Sequence, residues 1–415
     1  MKRSILWAVA GAVSLSTSAS MAAGSENLFS SAPSVWRSVE SDSAYQALAK
    51  EPMSHAISVV MANAALVDET TQSLSLNLDI GGPITVNARQ TSVERQKDGT
   101  IVWQGTLADA TKPVMLESEI KDDPMNSVVI VRNGDKLTGN IRVMGQLYKL
   151  RPLHDSRHVI VEADESLAPA DHPASAYRKI FVEAMPAPKA DNTSRANTVI
   201  RVLVNYTARA ASASGDINSL INLAITESNR GYTNSDVFIT LQLAGKAQVS
   251  YTESGNWSTD LSRYRGTSDG YMDSIHSTRN STAADVGVLI IDNDSACGLA
   301  SAIGASASTA FAAVHWDCAT GYYSFAHEIG HLQSARHDPA NDPTNTPYAY
   351  GHGYQYPTGR WRTIMAYNCS SVNCTRLNFW SNPNKTYGGV PMGTANRHDN
   401  HRVLNNTRAT VSGFR

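Results

Sequence analysis

The sequence predicts an α/β fold with a twisted mixed sheet, preceded by a separate β-rich unit. Three observations predict it. Apolar residues in the first half recur at every second position, the period of a half-buried strand. In the second half, short apolar runs alternate with segments whose apolar residues follow helical spacing, the pattern of an α/β sandwich. Between the halves lies Met185-Pro-Ala-Pro-Lys-Ala-Asp-Asn-Thr-Ser-Arg-Ala-Asn197, rich in proline and small polar residues and therefore extended, exposed and easily cut. At 415 residues, two folded units are the natural expectation.

In the first unit, residues 23–190, Leu74, Leu76, Leu78 and Ile80 alternate, and Gly81-Gly82-Pro83 then turns the chain into Ile84 and Val86, a hairpin signal. A second hairpin is expected from Val128–Val131 and Ile141–Val143, joined through a type I′ turn at Asn133-Gly134. In the second unit, residues 191–415, Val199–Val204 reads as a buried strand. Ile217, Leu220, Ile221, Ala224 and Ile225 mark a helix. Val237–Leu243 reads as a strand, Thr259–Thr278 as a helix, and Val286–Ile291 and Ala310–His315 as strands. Gly298–Ile303 is an edge strand able to pair with an extended peptide. Residues 338–415 form a loop-rich C-terminal subdomain below a cleft.

The chemistry concentrates in His327-Glu328-Ile329-Gly330-His331-Leu332-Gln333-Ser334-Ala335-Arg336-His337. On a helix, His327 and His331 stand one turn apart on one face and reach one metal ion. Phe325, Ile329 and Leu332 fall on the opposite side as an anchoring stripe. Glu328 lies between the faces, beside the metal but off its ligand axis, where a general base for a metal-bound water belongs. His337 closes a three-histidine site if the helix stops and the chain turns back, and Asp338-Pro339 keeps the helix from resuming. The fourth position then stays open, as a catalytic zinc site requires. A glutamate third ligand is excluded, since none occurs after Glu328. Asp338, Asp342 and Asp399 are formal alternatives, better read as turn formers. His352, His398 and His401 read as exposed loop or terminal histidines.

This motif resembles that of the metzincins, zinc endopeptidases with H-E-x-x-H-x-x-G-x-x-H followed by a methionine turn. The resemblance implies one catalytic Zn2+ on His327, His331 and His337, with Glu328 as catalytic base. Met365, within Thr363-Ile364-Met365-Ala366-Tyr367, is the implied turn methionine beneath the metal. Ser334 stands where those enzymes have glycine, and a left-handed turn there costs a serine about 1 kcal/mol. Tyr367 matches the tyrosine that follows the methionine by two in astacins and serralysins, which implies a zinc or oxyanion contact. Gly139–Ile160 resembles reprolysin-type pro-segments, which makes the first unit a propeptide and inhibitor of its own enzyme. The whole architecture is similar to the bacterial peptidyl-Asp metalloendopeptidases, which cleave before aspartate.

Residues 1–22 read as a secretory signal peptide: Lys2 and Arg3, an apolar Ile5–Val13, then Ser20-Met21-Ala22. The apolar run is too short to span a bilayer, so no membrane anchor is expected. Four cysteines in an exported chain suggest two disulfides among three possible connectivities, and the local pairs Cys297–Cys318 and Cys369–Cys374 bracket loops near the motif. A formal net charge of −2 without a dense basic cluster excludes nucleic acid as a partner. Nothing assigns a calcium site.

The expected reaction is hydrolysis of internal peptide bonds in proteins or peptides. Arg336, Arg360, Arg362, Arg376, Lys385, Arg397, Arg402, Arg408 and Arg415 follow Glu328 against only three aspartates, which suits an acidic residue after the cut. A broad-specificity protease and a non-catalytic zinc-scaffold binder are the alternatives. If the cut precedes aspartate, Ala190–Asp191 in the junction is a natural self-cleavage bond.

Residues 23–190 contain no cysteine, so latency is expected to rest on a carboxylate or on steric cover of the cleft, not on a thiol. Thiol-alkylating or mercurial treatment of the full-length chain should therefore leave casein hydrolysis at its basal rate; prompt activation contradicts this.

Overall fold

The structure, a computed structural model, describes residues 26–32, 39–78, 80, 82–107, 117–182 and 195–415. Residues 1–22, expected to be a signal peptide, and the Ala190–Asp191 bond lie outside these residues.

The first unit is one antiparallel sheet of nine strands in the order β1-β2-β9-β8-β7-β6-β5-β4-β3. Their ranges are β1 Phe29–Ser31, β2 Ser54–Ala62, β3 Ser73–Asn77, β4 Thr85–Arg95 and β5 Ile101–Leu107. The others are β6 Ser127–Asn133, β7 Lys136–Val143, β8 Gln146–Pro152 and β9 Arg157–Ala163. The first hairpin pairs Leu76 with Val86, and Leu74, Leu76, Leu78 and Ile80 are all buried. In the second, Asn133 pairs with Lys136, so the turn centres on Gly134-Asp135, one residue later than expected. Only Gly134 of the two has positive φ (60°), whereas a type I′ turn needs it at both.

Alternation along β8 sends Tyr148 and Leu150 into the unit's own core with Ile141 and Ile160. Lys149 and Arg151 point to the other face, yet both are buried there with Arg142 of β7. That face packs on the second unit: Val159 and Val161 join a core that also holds Val202, Val288 and Phe325. Lys149 Nζ lies 2.6 Å from the Asp317 carboxylate, Arg151 donates to Thr320 Oγ1 at 3.0 Å, and Asn140 donates to Glu227 at 2.7 Å. Arg142 binds Glu165 with both terminal nitrogens and the Gly321 carbonyl at 2.8 Å.

The second unit is a mixed sheet ordered β12-β11-β13-β16-β14. Strands β11 Thr198–Tyr206, β12 Ile239–Gln248, β13 Val286–Ile291 and β16 Phe311–His315 run parallel, and the edge strand β14 Gly298–Ala300 is antiparallel. The helix Ile217–Asn234, capped by the Asp216 carboxylate, buries Leu220, Ile221 and Ala224 on this sheet.

The single helix expected at Thr259–Thr278 is two, Trp257–Arg265 and Ile275–Ser281. Gly266 turns extended (ψ 146°), and the Asp269 and Asp273 side chains accept from the backbone of Tyr271 and Gly270, building a turn that competes with the helix. Residues 338–399 are mainly loops, and the helix Asn400–Val411 closes the chain.

Beyond β14, β15 Ala302–Ile303 pairs in parallel with β10 Phe181–Val182, which comes from the end of the first unit. The edge expected to pair with a peptide is thus partly taken by this chain's own segment.

Burial by itself raises the Asp317 pKa, and Lys149 together with Arg151 and His315 outweighs this, leaving it below the usual range. Lys149→Ala should leave an uncompensated buried charge and destabilise the full-length chain by about 3–5 kcal/mol. Urea unfolding followed by tryptophan fluorescence would show this; a loss under about 1 kcal/mol would mean that the pair does not hold the units together.

Candidate metal centre

The helix Ser324–Leu332 is buried along its whole length. Phe325, Ile329 and Leu332 are fully enclosed in the main core and fix its rotation. His327 and His331 then face the same way, with their Nε2 atoms 3.1 Å apart. The helix stops because Ser334 takes a left-handed backbone, φ 77°, while Ser334 and Ala335 donate to the carbonyls of His331 and Gly330 at 2.8 and 2.9 Å. The returning chain delivers His337 Nε2 to 3.1 Å from His327 and 3.0 Å from His331.

Two of these rings have their tautomer set by backbone acceptors. His327 Nδ1 meets the Ile364 carbonyl at 3.0 Å and His331 Nδ1 the Ala335 carbonyl at 2.8 Å. A carbonyl only accepts, so each Nδ1 carries the hydrogen and each Nε2 keeps its lone pair. His337 is held by ring contacts to Tyr367 and Tyr177, at 4.4 and 4.5 Å between centroids. Its carbonyl accepts from His352 Nδ1 at 2.7 Å. His352, expected from the sequence to be exposed, is fully buried and steadies the loop that carries His337.

A fourth histidine completes the cluster, and no pattern in the sequence marks it. His172, from the first unit, brings its Nε2 to 3.2, 3.0 and 2.9 Å from those of His327, His331 and His337. Its Nδ1 meets the Gly298 carbonyl at 3.0 Å, and its ring stacks on Tyr177 at 4.8 Å. The cover over the motif is therefore built around an imidazole, neither a bare carboxylate nor shape alone. Burial lowers the pKa of all four rings, that of His172 to about 4, so they are neutral near pH 7.

The donor set fits a zinc ion. Four nitrogens separated by 2.9–3.2 Å form a nearly regular tetrahedron. Its centre is about 1.9 Å from each corner, close to the Zn–N distance of about 2.0–2.1 Å. Buried lone pairs aimed at one point repel each other unless a cation lies between them.

Glu328 stands beside the cluster, its Oε1 3.6 Å from His172 Nδ1. Its carboxylate makes no side-chain hydrogen bond, and the backbone of Ala300 on β14 lies close enough to favour its charged form. Burial, then the Asp171 charge, raises its pKa well above the ordinary glutamate value. Gly298 makes room for this side chain, since a Cβ there would lie 2.3 Å from Oε1. Met365 is fully buried below, its sulfur near Gly330 of the helix. Tyr367 is half-buried beside His337, and its N–H donates to Asp338 at 2.9 Å.

The three aspartates have other work: Asp338 braces Tyr367, Asp342 pairs with Arg336 at 2.7 Å, and Asp399 caps the last helix. His398 and His401 stand outside the cluster. Both local disulfides, Cys297–Cys318 and Cys369–Cys374, are formed. The first anchors the strand edge against which His172 lies.

With this geometry in hand, comparisons with known proteins are specific. Residues 196–381 match the metallopeptidase family M12. Over 98% of both chains, the sequence is 51% identical to a peptidyl-Asp metalloendopeptidase of Stenotrophomonas maltophilia strain K279a. A protein of the same name from strain R551-3 is 57% identical over 80% of this chain and 81% of its own. One from Xanthomonas campestris is 47% identical over the full length of both.

Stripping the metal from the full-length chain with a chelator should lower its melting temperature by at least about 5 °C, because a ligand bound only to the folded state stabilises it by mass action. Calorimetry before and after adding back zinc measures this. An unchanged melting temperature would mean that the histidines hold no ion.

Proposed function

Because the chain belongs to the peptidyl-Asp metalloendopeptidases and is a zinc metalloendopeptidase, we propose that it is an exported zymogen that cleaves proteins before aspartate. In this reading Glu328 is the general base, and residues 23–190 are a propeptide that holds the enzyme inactive. The observation that carries it is the convergence of His327, His331 and His337 beside a buried Glu328 that makes no side-chain hydrogen bond.

Those three histidines would hold the zinc ion, which when bound supplies a Lewis acid that polarises the scissile carbonyl and activates water near neutral pH. The chain's own groups do the rest. Glu328 takes a proton from the attacking water and delivers it to the leaving amine. Its freedom from side-chain hydrogen bonds suits that task, and Gly298 keeps the space it needs. Tyr367, whose ring lies 4.4 Å from that of His337, would donate its hydroxyl to the developing oxyanion. Met365 acts as a packed floor.

Export is supported by the basic and apolar start of the chain and by two disulfides. Among the described residues no helix is long and apolar enough to cross a membrane. Inhibition by the propeptide is supported by His172, which stands where an attacking water must stand. The aspartate preference is supported by the activity named for the relatives and by the excess of cations after Glu328.

Glu328→Ala should retain one zinc per chain, lose at least about a hundredfold in peptide hydrolysis, and remain uncut at Ala190–Asp191 while wild type is processed there. Metal analysis, a peptide assay and N-terminal sequencing test the three parts. Loss of zinc with activity would make Glu328 a structural residue; equal processing of both proteins would assign maturation to another protease.

A further inference from the structure

His172 does not enter the centre alone. The preceding residue, Asp171, is also buried, and its Oδ2 lies 2.6 Å from Arg376 Nη2. Arg376 is itself fully buried. Its guanidinium lies 4.2 Å over the Tyr322 ring and donates to the carbonyls of Tyr322 and Ala366 at 3.1 and 3.3 Å. Its Nε has no protein partner, and neither does Asp171 Oδ1. Neighbouring Arg362 spends all three nitrogens on Cys374, Ala366 and Tyr322. Of these two buried cations beside the metal cluster, Arg376 is the one with capacity left for an acid.

The approach is along the strand edge. Cys297 N–H donates to the Ala170 carbonyl at 2.9 Å and Gly298 N–H to the Asp171 carbonyl at 3.0 Å. Two successive edge N–H groups thus meet two successive carbonyls of this segment in the same chain sense, and further along β10 runs parallel to β15.

We propose that Asp171-His172 is a reversed stand-in for substrate: His172 fills the fourth ligand position, and Asp171 fills the acid pocket whose reader is Arg376. This rests on the aspartate preference proposed above. Chain order explains why the stand-in is not cut. In a bond cleaved before aspartate, the carbonyl at the metal comes first and the acidic residue follows. Here the acid comes first and the metal-facing residue follows, and the carbonyl ahead of the acid, that of Ala170, is held by Cys297 N–H at 2.9 Å. A productive peptide with its acid on Arg376 runs the opposite way, antiparallel to the edge strand.

The test opens the two points separately in the zinc-loaded full-length chain carrying Glu328→Ala, which remains uncut. Titration calorimetry measures aspartate hydroxamate against asparagine hydroxamate on this parent and on the parent with His172→Ala or with the double change Asp171→Ala/His172→Ala. The parent should bind neither. His172→Ala, with cobalt in place of zinc, should change its visible spectrum at unchanged metal content, and should not discriminate the probes because Asp171 still holds Arg376. The double variant should bind the aspartate probe at least about tenfold tighter.

Equal affinities in the double variant overturn the assignment of Arg376, and a cobalt spectrum unmoved by His172→Ala overturns the ligand role. In parallel, processed wild type and Arg376→Gln are compared on two peptides differing only by Asp or Asn after the cut. The wild-type ratio of kcat/KM should collapse toward unity in the variant. A wild-type ratio of one removes the aspartate preference, and this inference with it. A wild-type preference that survives in Arg376→Gln overturns the inference alone.

Discussion

Four neutral imidazole nitrogens held within 3.2 Å of one another are the constraint around which the second unit is arranged. Each ring needs a fixed orientation, and each obtains it from a different part of the chain. The helix supplies the spacing of His327 and His331, and the Ile364 and Ala335 carbonyls set their tautomers. The left-handed Ser334 turns the chain so that His337 can return, and His352 holds its carbonyl. The loop containing Met365 lies where it does because Ile364 must face His327. Such outer contacts govern a metal site as much as its direct ligands do.

The legible parts of the sequence are those whose signal is local. Spacing within one helix reveals His327 and His331, and the return of His337 follows from a helix that has to end. The hairpin at Leu74–Val86 is readable because period-two alternation and a glycine-proline turn are neighbours in the chain. The segment Thr259–Thr278 misleads because its apolar spacing continues across Gly266 while two aspartates capture the backbone instead. His172 has no such signal. It is one histidine in a non-periodic stretch, 155 residues ahead of His327, and only the tertiary fold gives it meaning. The same holds for Arg376, one of nine cations after Glu328 until geometry singles it out.

A subtler difference concerns strands β7 and β8. Alternating charged residues normally mark the wet face of an antiparallel sheet. Here Arg142, Lys149 and Arg151 are buried, because the second unit meets them with carboxylates, carbonyls and hydroxyls. A one-chain pattern cannot distinguish a face turned to water from one turned to a polar partner, since both satisfy the same charges.

That contact surface also governs how the two units behave once they part in the proposed zymogen cycle. The two faces join through ion pairs such as Lys149–Asp317 and through apolar contacts of Val131, Leu147, Val159 and Val161, so parting them hydrates buried charge and apolar surface together. While the chain is continuous, the two faces meet at the high local concentration that a tether imposes. Once it is cut, they must find each other by diffusion and shed water from every charge again. Cutting the junction therefore weakens the contact through the loss of the tether alone, with every contact between the faces left as it was.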